Sequence, residues 1–428
     1  MLPAEVEAVR RLECLDGLRG LLATYVLVSH MAAFTVLPAW LTAPFTHGGA
    51  AVDVFFILSG TVILRSLEGI GFDRGRFLAA RAARIMPAFL VVFALAVAVQ
   101  PLPTALAWMP WVAPDDPGRS MWSTGWPRSW AAEIGAHLTM LHGLLPEGVL
   151  PGAWVSFLGA AWSLSTEAQF YGVMALAAPA LRRRRTMERL FLGLAAAGLA
   201  WKWIGPEQWQ FSRAFLPNKA QYFALGMASA AWLADTRAGA GRRFALVWCA
   251  TLALCAVQGG LDKLGAPLVW TLCLAAQRGL GAGQERRGLG WLATLLRAPP
   301  LLRLGALSYC IYLVNEPVQK LLSLALALVV RGDGLLFTAL WVPCAILLPL
   351  LMARLLHARV EQPASRAARD VVGDCPTPSE KDLPRPLAGG LGGGGSPHRH
   401  CPLDPSPRPL PQGEGEFSTE VRAAVESG

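Results

Sequence analysis

The sequence predicts an all-α polytopic membrane protein of about ten transmembrane helices, with both termini in the cytoplasm. Three observations lead there. Of the 428 residues, 54% are hydrophobic and only 16% are charged, against about 25% charged in ordinary soluble domains. The apolar residues come in long, nearly unbroken runs, such as Phe89 to Val99, Leu321 to Val330 and Leu335 to Leu356, rather than in the stripes of a soluble helix. The basic residues collect in every second connection between those runs.

Runs near the roughly 20 residues that cross a bilayer place spans at 15–37, 50–67, 84–103, 157–181, 188–204, 218–235, 244–259, 264–280, 303–329 and 335–357. The connections 68–83, 182–187, 236–243 and 281–302 hold Arg74, Arg76, Arg81, Arg182 to Arg185, Arg237, Arg242, Arg243, Arg286, Arg287 and Arg297. The opposite set holds few for its length, mainly Arg119, Arg128, Arg213, Lys219, Lys263 and Arg331. The positive-inside bias sets both termini in the cytoplasm, and an even number of spans agrees. The net charge of +9 thus reads as a topology signal towards a lipid bilayer, not as a nucleic-acid footprint.

No cleavable signal is visible in the polar stretch Met1 to Glu13, so the first span is expected to stay as an anchor. The transmembrane domain is expected over 1–363. Residues 364–428, rich in Pro, Gly and charge with Gly392 to Gly395 in a row, are expected to form a disordered tail. The one long external connection, 104–156, carries Trp108, Trp111, Trp122, Trp126, Trp130 and Trp154. They suit an aromatic belt at the headgroups or a sugar-stacking surface. None of the eight cysteines forms a CxxC pair, and they read as small buried residues rather than metal ligands or a disulfide framework.

An ionisable side chain in hydrocarbon costs a few kcal/mol or more, so each one is a functional candidate. The first span holds Leu15-Asp16-Gly17-Leu18-Arg19-Gly20 and then His30. Eleven residues are about three turns, so Arg19 and His30 share a face ~16 Å apart along the axis. A cation near the cytoplasmic boundary and an imidazole past mid-bilayer suit an anionic donor from inside and an acceptor outside. A snorkelling arginine and a hydrogen-bonded core histidine give the same pattern. The second span opens Ala50-Ala51-Val52-Asp53-Val54-Phe55-Phe56. Asp53 enters from the outer side at a depth that could meet His30 and fix its tautomer, or it is a carboxylate favoured by a helix N-terminus.

Arg81 and Arg84 are three apart on one helical face at the cytoplasmic boundary. Paired guanidinia there suit phosphates, and topology alone would also put them there. The fourth span carries Trp162 and, below the outer surface, Glu167, placed to orient the imidazole or to bind acceptor hydroxyls. The ninth sets Tyr312, Asn315 and Glu316 near mid-membrane, where Asn315 could equally bond between helices. The candidate catalytic residues are therefore His30, Asp53 and Glu167. The candidate substrate-binding residues are Arg19, Arg81, Arg84, Asn315, Tyr312 and Trp162. No metal ligand is expected.

Five segments in this order, LDGLRG followed by His30, AVDVFFILSG, RAARIMP, WSLSTEAQFY and SYCIYLVNEPV, resemble the pattern of acyltransferase family 3. With the closing Arg359-Val360-Glu361-Gln362-Pro363, the resemblance covers about residues 12–363. It implies ten spans in a bacterial inner membrane, no bound cofactor, an acyl-CoA donor (often acetyl-CoA) and transfer to hydroxyls of extracytoplasmic glycans. It maps the family's Arg–His pair onto Arg19 and His30, and its RxxR donor motif onto Arg81 and Arg84. Family members commonly carry His where this chain has Asn315, which leaves His30 as the one histidine clearly within the expected catalytic core. Ala51 stands where the family has Gly.

On this reading acyl-CoA docks with its phosphates near Arg81, Arg84 and Arg19. His30, held by Asp53 or Glu167, then acts as general base on the acceptor hydroxyl or carries the acyl group itself. Two other classes stay open. Buried Arg, His, Asp and Glu also mark the pathways of carriers for small anionic or sugar-like solutes, although no inverted repeat is visible. A family member without activity, serving as a scaffold, is the reading that Asn315 keeps alive.

Overall fold

A backbone in lipid must satisfy its own polar groups, which favours helices for segments this apolar. The computed structural model describes residues 12–112, 125–184, 187–234, 238–281, 289–330 and 332–372. The described residues are about 81% helical and contain no strand, as the all-α reading requires. The α-helices of eight residues or more are α1 (Glu13–Ala32), α2 (Gly48–Gly69), α3 (Arg74–Val99), α4 (Trp130–Leu138), α5 (Ala161–Arg184), α6 (Glu188–Ile204), α7 (Ala220–Ala234), α8 (Ala238–Gly259), α9 (Gly265–Gly281), α10 (Pro299–Val330), α11 (Gly334–Leu356) and α12 (Gln362–Val372).

Five helical stretches among the described residues have the length and hydropathy to cross a bilayer: Ala39–Gly69, Arg74–Val99, Gly239–Gly279, Pro299–Val330 and Gly334–Ala367. The chain is thus a multi-pass membrane protein. The other expected spans coincide with α1, α5, α6 and α7, which are more polar or shorter. Glu13, Asp16 and Arg19 lie in α1, and α6 and α7 have 17 and 15 residues. The stretch 239–279 is not one rod. It folds back at the turn Gly260–Leu264, where Gly260 has φ +66°, and Trp248 Nε1 of α8 donates to Thr271 Oγ1 of α9 at 2.8 Å.

Side-chain register reveals helix direction. Gly20 packs on Gly305 and His30 bonds to Asn315, both offset by 285 residues, so α1 and α10 run parallel. Asp53 bonds to Lys219 and Gly60 packs on Gly226, both offset by 166, so α2 and α7 also run parallel. Both seams are lined by small residues that let backbones approach. A Cβ on Gly305 would stand 2.2 Å from the Asp16 carbonyl oxygen, and one on Gly226 2.1 Å from that of Ile57. In contrast, Gln221 meets Gln258 and Tyr222 meets Cys255, so the consecutive helices α7 and α8 are antiparallel.

One boundary differs from expectation. Helix continues beyond Pro363 to Val372, through a π-helical turn at His357–Glu361. A proline ring displaces the carbonyl four residues earlier, and a π turn absorbs that displacement without ending the helix. Ala364 and Ala367 favour its continuation. The rest of the expected tail, 373–428, lies outside the described residues, as do 1–11, Arg119 and Trp122.

Candidate active site

Helices α1, α2, α3, α5 and α10 line a partly open cavity with room of about 110 Å³ for water-sized groups. Arg19 of α1 and Arg81 and Arg84 of α3 line it together, with Ser59, Ser163, Glu167, Tyr171, Ser308, Tyr309 and Tyr312. Val52, Phe55, Phe56 and Ile85 supply apolar wall. Three guanidinium groups around one membrane-embedded space are costly unless something anionic shares it. Part of that compensation is built in. Asp16 lies 3.8 Å from Arg19, and Glu167 lines the same space.

Arg81 is buried, donates to Ser66 Oγ, and sits over the rings of Phe77 and Tyr171 at 5.6 and 5.5 Å. Its Nε has no hydrogen-bond partner among the described residues. Tyr309 OH donates to the Ile85 carbonyl at 2.7 Å and ties α10 to α3. The structure therefore gathers Arg19, Arg81, Arg84, Glu167 and Tyr312 in one cavity, and it separates the others.

Glu167 does not touch His30. Its Oε1 accepts from Ser59 Oγ at 2.8 Å and from Tyr171 OH, among the arginines. Asp53 does not hold His30 either. It is buried, and Lys219 Nζ donates to its Oδ1 at 2.5 Å. A buried carboxylate needs a cation, and Lys219, which the sequence reading left in an external connection, supplies it from the mouth of α7. Trp162 is not a cavity wall. Its ring lies 5.6 Å under Lys219 Nζ and 5.8 Å under the exposed Arg213, which also covers Trp154 at 5.0 Å.

His30 bonds to Asn315 instead, Nδ1 to Oδ1, at 2.7 Å. Asn315 is fully buried, and its Nδ2 donates to the Ile311 and Tyr312 carbonyls at 3.2 and 2.7 Å. Both amide hydrogens are thus spent, and only the oxygen faces the ring. His30 must donate from Nδ1, which leaves the lone pair on Nε2. Asn315 is therefore a partner of the histidine rather than a free contact for substrate. His30 is not among the cavity-lining residues. Its link to the cavity runs through Asn315 to Tyr312. Beside it, Glu316 Oε2 accepts from Ala160 N at 3.1 Å, where a Cβ on Gly159 would stand 2.8 Å from that oxygen.

Two more histidines were invisible from spacing. His137 of α4 and His142 are buried and stacked, with ring centroids 4.1 Å apart. His137 Nδ1 donates to the Glu133 carbonyl and His142 Nε2 to that of Ala161. Burial pushes the first down to about 3 and the second to about 4, so both are neutral near pH 7.

The sequence matches a family described as "Acyltransferase domain" over residues 12–356. This chain belongs to acyltransferase family 3. The match takes in every helix that lines the cavity, and both His30 and Asn315. The chain is also similar to a protein of Komagataeibacter xylinus provisionally named membrane-bound transacylase BcsY, at 30% identity over 230 residues. That similarity covers 50% of this chain and about half the length of the relative, 49%. No solved structure matches the chain.

Proposed function

We propose that this family 3 member moves an acyl group, acetyl in the simplest case, from cytoplasmic acyl-CoA to a hydroxyl of an extracytoplasmic carbohydrate at the bacterial inner membrane. The observation that carries the reading is the cavity where Arg19, Arg81 and Arg84 converge from two helices beside the apolar Val52, Phe55 and Phe56. Guanidinium groups suit the pyrophosphate and ribose phosphate of coenzyme A, and the apolar wall suits its pantetheine arm. Ten spans with both termini in the cytoplasm would open the arginine end inward.

His30 then serves as general base through Nε2. It takes the proton of the acceptor hydroxyl as the oxygen attacks the thioester carbonyl. The C–S bond breaks, and the proton returns from His30 to the departing coenzyme A sulfur. Acyl-CoA and alcohol become ester and free CoA. Asn315 takes the orienting part that the sequence reading gave to Asp53 or Glu167. A positioned base of this kind contributes about 10²–10⁴-fold.

The test is acyl-CoA consumption by purified His30→Ala and Arg19→Ala proteins with a carbohydrate acceptor. His30→Ala should lower turnover by about 10² or more. Arg19→Ala should raise KM for the donor. Full activity in both variants removes the basis of the reading. Mass spectrometry of surface glycans from cells with and without the gene, read for a missing acyl group, identifies the acceptor.

A further inference from the structure

A second cluster of reactive side chains lies outside the arginine cavity. Cys310 is fully buried on α10, and His357 and Glu361 open and close the π turn after α11. Glu361 Oε2 accepts from Cys310 Sγ at 3.0 Å and from His357 Nδ1 at 2.7 Å. The three potential ligand atoms lie within 4.8 Å of one another. We propose that this thiol, imidazole and carboxylate form a zinc-binding site that pins the end of α11 to α10. The proposal is independent of the acyl-transfer reading.

The donor set is the reason for zinc. One sulfur, one imidazole nitrogen and one carboxylate oxygen suit a borderline cation with a fourth position left open. Thiolate and carboxylate together balance a dication, so the loaded site is neutral, which a poorly solvated setting demands. Binding breaks the Cys310 S–H bond, and that proton leaves to solvent. It also moves the His357 proton from Nδ1 to Nε2. Gln362 waits there, its side-chain amide 3.0 Å from Nε2. Turned end for end, that amide offers its oxygen to the new N–H, the usual outer-shell support of a zinc histidine.

Around a tetrahedral zinc, with bonds of about 2.3 Å to sulfur and 2.0 Å to nitrogen and oxygen, the ligand atoms stand about 3.3–3.5 Å apart. The Glu361 oxygen must therefore draw back by about half an ångström from its present contacts at 3.0 and 2.7 Å, while the thiol and the ring, within 4.8 Å of each other, swing round the ion by side-chain rotation. His357, with 18% of its side chain exposed, gives the ion a way in. No sequence motif marks the site, because Cys310 comes from another helix, 51 residues before Glu361, and His357 and Glu361 alone make no zinc motif.

The test uses the full-length protein in detergent, stripped with EDTA, then titrated with Zn²⁺ and in parallel with Co²⁺. About one zinc per chain is expected by metal analysis, with a thiolate-to-cobalt absorption band in the Co²⁺ form. Cys310→Ser and His357→Ala should each weaken zinc binding about tenfold or more, and Cys310→Ser should abolish the band. Zinc should raise the melting temperature of the native protein and of neither variant. His398, His400 and Cys401 are a rival zinc-binding sequence, so their triple replacement by Ala must leave binding intact. The proposal is overturned if the native chain takes up no zinc, if Cys310→Ser binds it equally well, or if the triple replacement removes it. Should Cys310→Ser aggregate on size exclusion, His357→Ala decides, because its partly exposed side chain can be removed without opening the core.

Discussion

At the scale of single residues, Asn315 turns a liability into a part. The sequence reading treated it as the absence of a second histidine. Its two amide hydrogens are held by the Ile311 and Tyr312 carbonyls, so its oxygen fixes the His30 tautomer. Asn315→Ala should lower turnover about tenfold to a hundredfold, the 1–3 kcal/mol of an unmade buried bond, with little change in donor KM. Asn315→Asp, which keeps the acceptor oxygen, should lose less; equal losses would show that the oxygen is not what matters. The Asp53–Lys219 pair makes a different prediction. Removing one partner of a buried pair costs about 3–5 kcal/mol, so Asp53→Ala should lower the melting temperature more than the double variant Asp53→Ala/Lys219→Met. Candidate residues were legible here where lipid makes any charge conspicuous, as with Arg19, Arg81, Arg84 and Glu167. Their partners were not, because Lys219 looks like an ordinary loop cation and stands 166 residues from Asp53.

At the scale of elements, the glycine seams set how the functional helices meet. A Cβ on Gly20 would stand 2.3 Å from the Leu301 carbonyl oxygen, and backbone cannot swing aside as a side chain can. Gly305→Leu should therefore push α1 off α10 and lower the yield of folded protein in detergent extracts, by at least the 1–3 kcal/mol of an overpacked core. Gly172→Ala, with nothing within 4 Å of its Cβ, should be neutral or slightly stabilising. Around α4, His137 and His142 make stability depend on pH. Their folded values lie below the ordinary 6.5, at about 3 and about 4, so the unfolded chain binds more protons on acidification. Stability should be full above pH 6.5 and fall as pH drops from there towards 4. A melting temperature unchanged between pH 7 and pH 5 would contradict this. Most helices were readable from apolar runs. The end of the helical part was not, because a proline usually stops a helix and here a π turn carries the chain past it.

At the scale of the whole molecule, the parallel pairs α1/α10 and α2/α7 and the antiparallel α7/α8 fit a chain that crosses the bilayer in alternating directions. If ten crossings leave both ends inside, single cysteines placed at Gly334 and at Arg74 should label from opposite faces of spheroplast membranes. Labelling from one face would require a different count. The number of crossings was the least secure part of the sequence reading, because α1 and α5 dilute their apolar stretches with the polar groups that line the cavity.

The offset of 285 residues between His30 and Asn315 has a consequence for biosynthesis. At about 5–20 residues per second, α1 leaves the ribosome roughly a quarter of a minute to a minute before the strip of α10 that completes it. Until then a helix bearing Asp16, Arg19 and His30 must wait at the insertion machinery with its polar face uncovered. Slow-growing conditions, or a stalled translocon, would expose this nascent chain to quality-control proteases long before any enzyme exists to be lost.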